Sequence, residues 1–378
     1  WCRMRPLRVY LHIPFCRSKC LYCDFCSVPH ADDETVARYV AALCRDIRSY
    51  AAACADCEVD SVYFGGGTPT LLPPELLEQL LSAVLETFRV TEAAEITAEC
   101  NPATGGAAAF SRLRRAGFNR LSIGLQSADA RELRALGRLH TYPDFCRTWE
   151  QAVSAGFANL SADVMFGIPY QTEESLARTL GQVCALRPQH LSCYALSVEP
   201  GTPFGRRGEA ALHLPDEESV RMMYLNLIAY LEGQGLAQYE ISNFARPGYE
   251  CRHNLKYWNA EEYLGFGPAA HSDFGGTRSG NAADLRAYLD GTMESERETP
   301  GREERMNEYV MLRMRLTAGL DAGAFALRFG QGAEHFLTAF GRFIPGGFVR
   351  RTAAGLAFTP EGMLVSNAIL SEILDFNA

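Results

Sequence analysis

No stretch of this 378-residue chain reaches the roughly 18 consecutive apolar residues that a membrane-spanning helix requires. Nor does its beginning carry the apolar core of a secretory signal: the run Leu7 to Phe15 is short, holds Arg8 and alternates like a strand. An excess of basic residues is missing too. Lys and Arg number 36 against 45 Asp and Glu, a net charge of -9, which excludes a general nucleic-acid binder. There is no internal repeat and no low-complexity run. The thirteen cysteines are odd in number and scattered, and a chain this long with 47% hydrophobic residues has core enough without a disulfide scaffold. Reduced thiols and a cytoplasmic location are expected. A peripheral contact with a membrane surface is left open by the sequence.

What is present is an alternation of strand and helix, six times over. Strands are expected at Arg8–Ile13, Ser61–Phe64, Glu95–Glu99, Arg120–Gly124, Asn159–Phe166 and His190–Val198. Helical stretches follow each, among them Glu34–Tyr50, Glu173–Leu186 and one that Pro73 and Pro74 open and that runs to about Phe88. Strands alternating with helices imply a parallel sheet with crossover connections. A complete barrel of this kind has eight units, so six predict a partial, open (β/α)6 TIM-like barrel; an open doubly wound sheet is the rival. Residues 1–298 are expected to form this α/β unit. Residues 299–378 are expected to form a small, mainly helical, winged-helix-like domain, with helices at Arg302–Thr317, Asp321–Phe329 and Thr359–Leu374 and a hairpin at Phe348–Phe358.

In a parallel barrel, functional groups sit just beyond the strands. Beyond the first comes Cys16-Arg17-Ser18-Lys19-Cys20-Leu21-Tyr22-Cys23, with the spacing C-x3-C-x2-C. Structural zinc wants four ligands, usually in two pairs, and no second pair of suitable spacing lies nearby; Cys54 and Cys57 read as a surface turn. Three thiolates on one loop can instead hold three irons of an iron–sulfur cluster and leave the fourth open. Tyr10-Leu11-His12-Ile13-Pro14-Phe15-Cys16 through Cys23-Asp24-Phe25 resembles the cluster loop of radical SAM proteins, in the branch that holds the oxygen-independent coproporphyrinogen III dehydrogenases and the HemW heme chaperones. The resemblance implies a [4Fe–4S] cluster on Cys16, Cys20 and Cys23, with S-adenosylmethionine (SAM) on the open iron and an electron donor for the cluster.

The same resemblance implies a SAM pocket. Gly65-Gly66-Gly67-Thr68-Pro69 follows the second strand; a glycine run is by itself a weak signal, because tight turns use it equally. On the family's pattern Gly66, Gly67 and Thr68 receive the amino group of SAM, and Glu99, Gln126, Arg138 and Asp163 supply the charges and acceptors a zwitterionic nucleoside needs. Arg138 is placed on the helix after the fourth strand, Asp163 within the fifth, and Tyr10 beside the adenine or the cluster.

Two functions of different class divide the branch. The dehydrogenases resemble C-x3-C-x2-C-x-C, and Phe25 stands here where their fourth cysteine would be, with Cys26 one place on. His253-Asn254-Leu255-Lys256-Tyr257-Trp258 resembles the HNxxYW motif of the heme chaperones. Imidazole ligates heme iron, and Tyr and Trp offer flat apolar surface. His253, Cys251 and His271 are the candidate heme ligands; on the residues alone, a local hydrogen-bonded turn with Trp258 in the core is the favoured reading. The resemblance implies a protein that binds heme and passes it to an apo-hemoprotein, the alternative being decarboxylation of coproporphyrinogen III by a 5′-deoxyadenosyl radical.

Overall fold

The computed structural model describes residues 4–291 and 294–374. Six strands run parallel in chain order: β1 (Arg5–Ile13), β2 (Cys57–Gly66), β3 (Val90–Cys100), β4 (Arg120–Gln126), β5 (Asn159–Phe166) and β6 (His190–Ala195). These are the six expected from the alternation, and they form the partial barrel. The sheet continues past both edges of that set. Beyond β6 lie β7 (Ala237–Glu240) and β8 (Asn243–Ala245), antiparallel, with β8 next to β6. Beyond β1 lies β9 (Tyr263–Phe266), parallel to it, and then β10 (His271–Phe274), β11 (Thr277–Asn281) and β12 (Glu294–Glu298), antiparallel in turn. These flanking strands leave little signal in the sequence because they are short, and Gly265, Gly275 and Gly276 break any apolar alternation.

The crossover helices are α1 (Asp33–Ser49), α2 (Pro74–Thr87), α3 (Ala107–Ala116), α4 (Ala130–Ala135), α5 (Tyr142–Ser154) and α6 (Glu173–Cys184). Local chemistry sets their starts. Asp32 caps α1 by accepting from Thr35 N at 2.7 Å, and Thr141 with Asp144 forms a reciprocal capping box on α5. Four further helices follow: α7 (Pro203–Arg207), α8 (Glu217–Gly233), α9 (Arg252–Trp258) and α10 (Leu285–Leu289).

Both faces of the six-stranded sheet are buried, but differently. On β1, Leu7, Val9, Leu11 and Ile13 are at most 1% exposed and join one core with the helices. The alternate residues Arg8, Tyr10 and His12 face the barrel interior, which is polar: Ser61, Glu95, Arg120, Ser161 and His190 are buried there as well. From Arg302 onward the chain forms α11 (Arg302–Met314) and further helices around a three-stranded sheet, in which Val349–Arg351 and Gly355–Phe358 are the expected hairpin. Arg305 of α11 donates to Asp273 of β10 at 2.9 Å and ties the two parts together.

Candidate functional site

The cysteine loop begins where β1 ends and is laced to the next crossover. Gly67 N donates to Ile13 O and Thr68 N to Phe15 O, both at 2.8 Å. A Cβ on Gly67 would sit 2.7 Å from each of the carbonyl oxygens of Ile13 and Phe15, and Gly66 has a φ of +104° with His12 where its side chain would go. The glycine run is therefore what lets the loop close over the strand ends.

The loop roofs a cavity of about 580 Å³ at the ends of the strands. Cys16, Cys20 and Cys23 line it. Gly66, Gly67, Glu99, Gln126, Arg138 and Asp163 line it as well, so nine of the expected cluster and SAM residues meet in one place. Among the described residues, no group of His, Cys, Asp or Glu converges to hold a single metal ion. Three thiols that share a cavity without meeting at a point suit a cluster of several irons better than one ion. Burial pushes the Cys16 thiol up and the Cys23 thiol up to about 11, so binding a metal here would release protons.

Each wall residue is held by named bonds. Arg138 donates through Nη2 to Asn101 Oδ1 and Gly124 O, both at 2.7 Å, and its Nη1 lies 3.5 Å from Cys20 Sγ. It is not on α4. Gly137, with φ at +73°, ends the helix, and Arg138 reaches the loop from the connection to α5. Glu99 accepts from Tyr63 OH at 2.9 Å and Gly66 N at 3.0 Å; burial, then the neighbouring Asp163, pushes its carboxyl up to about 7. Asp163 accepts from Ser122 Oγ at 3.0 Å and is raised by burial. These residues give the cavity a mixed-charge wall that it shares with the three thiols.

Thr68 and Tyr10 stand outside the cavity. Thr68 is buried behind Cys16, its Oγ1 3.7 Å from the thiol and accepting from Asn101 Nδ2 at 2.7 Å. Tyr10 lies deeper in the barrel, bonded to His12 Nδ1 at 3.2 Å and stacked on Tyr63. Asn101, which fixes both Thr68 and Arg138, was missed, although it sits in the Glu99-Cys100-Asn101-Pro102 segment.

The candidate heme ligands are elsewhere. His253 and Cys251 belong to a plug at the opposite end of the barrel, where the strands begin. The Glu95 carboxylate accepts from Arg252 N and His253 N at 3.2 Å each and from Cys251 Sγ at 3.5 Å, capping α9. His253 is 2% exposed, bonded through Nδ1 to Ser61 Oγ at 3.1 Å and stacked on Tyr63, and Arg8 lies 3.5 Å over the Tyr257 ring. Burial holds the imidazole well below its ordinary pKa. A macrocycle reaches His253 only if this plug opens, so the motif's first role here is packing. His271 is half-exposed on β10 and 3.4 Å from Glu296. The structure does not bring these three together with the cavity.

A family model for the Radical SAM superfamily matches residues 10–183, and one for the HemN C-terminal domain matches residues 302–365. The chain is 34% identical to the heme chaperone HemW of Bacillus subtilis (strain 168) over 375 residues, 97% of this chain and 98% of the relative. It is likewise 34% identical to the heme chaperone HemW of Escherichia coli (strain K12) over 384 residues, 98% of this chain and 99% of the relative. Among solved structures it resembles coproporphyrinogen III oxidase (HemN) from Escherichia coli, a radical SAM enzyme, with a TM-score of 0.87 and 24% identity over 99% of this chain and 91% of that one. The last likeness is one of fold.

Proposed function

We propose, for a chain that belongs to the HemW family of radical SAM proteins, that it binds heme and hands it to an acceptor hemoprotein, with its cluster and SAM governing the transfer. The observation that carries this reading is the single cavity that the three loop cysteines line together with Glu99, Asp163 and Arg138. Cys16, Cys20 and Cys23 would hold a [4Fe–4S] cluster. With SAM bound, that group supplies one-electron chemistry at a sulfonium. The chain's own part is to position and to exclude water. Arg138 keeps a fixed positive charge beside Cys20. Glu99 and Asp163 offer carboxyls to an ammonium and to ribose hydroxyls, and Gln126 and the backbone of Gly66 and Gly67 complete the wall. We further assign the cluster, SAM and cargo functions to residues 1–298, treat 299–378 as a separate helical domain, and place the protein in the cytoplasm with an electron donor as a further partner. Among the described residues, no helix is long and apolar enough to cross a membrane.

The test uses anaerobically reconstituted protein with reductant and SAM, given ferric heme in one tube and coproporphyrinogen III in another. Stoichiometric heme binding without decarboxylation is expected. Protoporphyrinogen formation with methionine release would make the chain a dehydrogenase instead. Cys16→Ala is expected to lose the cluster; full iron and sulfide content in that variant would remove the basis of the assignment.

A further inference from the structure

A second cavity, of about 650 Å³, lies on the other side of the cysteine loop from the first. It is built by loop residues Cys26, Ser27 and Val28, by Thr35 and Arg38 of α1, and by α10 with the residues beside it. Its size is that of an organic cofactor site. Val28, Leu285 and Leu289 give it apolar wall, and Lys19, Arg38 and Arg286 bring three cations to it. Among the described residues, neither Arg38 nor Arg286 is paired with a carboxylate. Two carboxylates also line the cavity, Asp284 and Asp290; Asp284 is engaged in capping α10 through Ala287 N at 2.9 Å. Cys26 is part of the lining, and its carbonyl is fixed by His12 Nε2 at 2.7 Å. Lys19 and Ser27 line both cavities, so one layer of loop separates this space from the three cluster cysteines.

We propose that this cavity is the heme-loading site, with the Cys26 thiolate on the heme iron and Arg38 and Arg286 on the propionates. The proposal rests on the reading of the chain as a heme carrier and names where the cargo sits. Three features fit together. A cysteine thiolate is an established type of heme axial ligand. Guanidinium groups without a carboxylate partner suit two carboxylates that arrive with the cargo. The alternative ligand His253 is sealed under the barrel, bonded to Ser61 and capped by Glu95, whereas Cys26 lines an open space. Cargo in this site would share a wall with the cluster. Heme occupancy and SAM occupancy would then be sensed through the same loop, from residue 14 to residue 28.

The experiment is a titration of the cluster-loaded protein with ferric heme, followed by absorption and electron paramagnetic resonance. Cys26→Ser and the double variant Arg38→Glu/Arg286→Glu are run beside the parent, with iron and sulfide content measured throughout. Expected are one equivalent of heme with a thiolate-type spectrum in the parent, and loss of that spectrum with at least tenfold weaker binding in Cys26→Ser. At least tenfold weaker binding with the spectrum kept is expected in the double variant. Unchanged spectrum and affinity in Cys26→Ser would overturn the site and leave the heme-carrier reading standing. Loss of cluster iron in Cys26→Ser would overturn it too, by making Cys26 a cluster ligand. A parent that takes up no heme would remove the carrier reading itself.

Discussion

The strongest test of the barrel's architecture is Glu95→Ala. The first amides of a helix have no acceptor within it, and at α9 those of Arg252 and His253 both end on the Glu95 carboxylate. Glu95 is 4% exposed and sits near Arg120, which is 1% exposed. Removing the carboxylate strips two buried amides of charge-assisted bonds and leaves a buried guanidinium less compensated. At about 1.5–3 kcal/mol for each such bond, less some relaxation, the cost is about 3–5 kcal/mol. Urea unfolding of the cluster-free chain measures the total, and hydrogen exchange at amide resolution measures the local part. Protection at Arg252 and His253 depends on Glu95, so both amides are expected to exchange at least a hundredfold faster in the variant. Glu95→Gln keeps one acceptor oxygen and is expected to lose roughly half as much. A Glu95→Ala protein within about 1 kcal/mol of the parent, with unchanged exchange at these two amides, would refute the account of the motif as a capped plug. The variant also separates the two heme sites: an easier opening of the plug would raise heme affinity if His253 were the ligand, and would leave it unchanged if Cys26 is.

Glu99 makes stability depend on pH. Its folded carboxyl sits at about 7 against an ordinary value near 4.5, so the native state holds the proton more tightly than the unfolded chain. That contribution is complete below the unfolded value and is lost as pH rises through about 7, up to about 3 kcal/mol in all. Glu240, also pushed up to about 7 by burial, acts in the same direction. Glu99→Gln is therefore expected to remove roughly half of the fall in unfolding free energy between pH 5 and pH 8; an unchanged slope would show that Glu99 does not titrate in this window. Arg138→Met removes the bonds to Asn101 and Gly124 and the charge beside Cys20 while keeping most of the volume. SAM affinity, read by equilibrium dialysis on reconstituted protein, is expected to fall at least tenfold, and an unchanged affinity would remove Arg138 from the site.

How much of this could be read in advance follows from range along the chain. The cysteine loop is local, so its spacing was enough to single it out. The six strands were legible because Val9, Leu11 and Ile13, and their counterparts in later strands, repeat at the strand period on a buried face. The sequence pattern extends the helix through Arg138 because the turn at Gly137 is a matter of one dihedral angle. Residue type groups the HNxxYW motif with the functional residues, whereas its position depends on Glu95, 158 residues away from His253. No local pattern carries that distance.

The polar half of the strand period was the harder part, because in a barrel of this kind neither face meets bulk water. Glu95 and Glu99 lie on the same strand, four residues apart and on the same face, and look alike in sequence. What separates them is depth. Glu95 is consumed by the α9 amides, with the Arg120 charge nearby, and it lines no part of the cavity. Glu99 has reached the strand's end, where its partners are Tyr63 and Gly66 and the cavity begins. The same holds on β5 for Ser161, bonded to His190 at 2.7 Å, and Asp163, two residues further on and in the cavity wall. Residue type alone nominates an inward carboxylate; its height along the strand decides whether the fold uses it or leaves it for a ligand. If that reasoning is right, Glu95→Gln and Glu99→Gln should part company in one assay each: the first changes exchange at α9 and leaves SAM affinity alone, the second does the reverse.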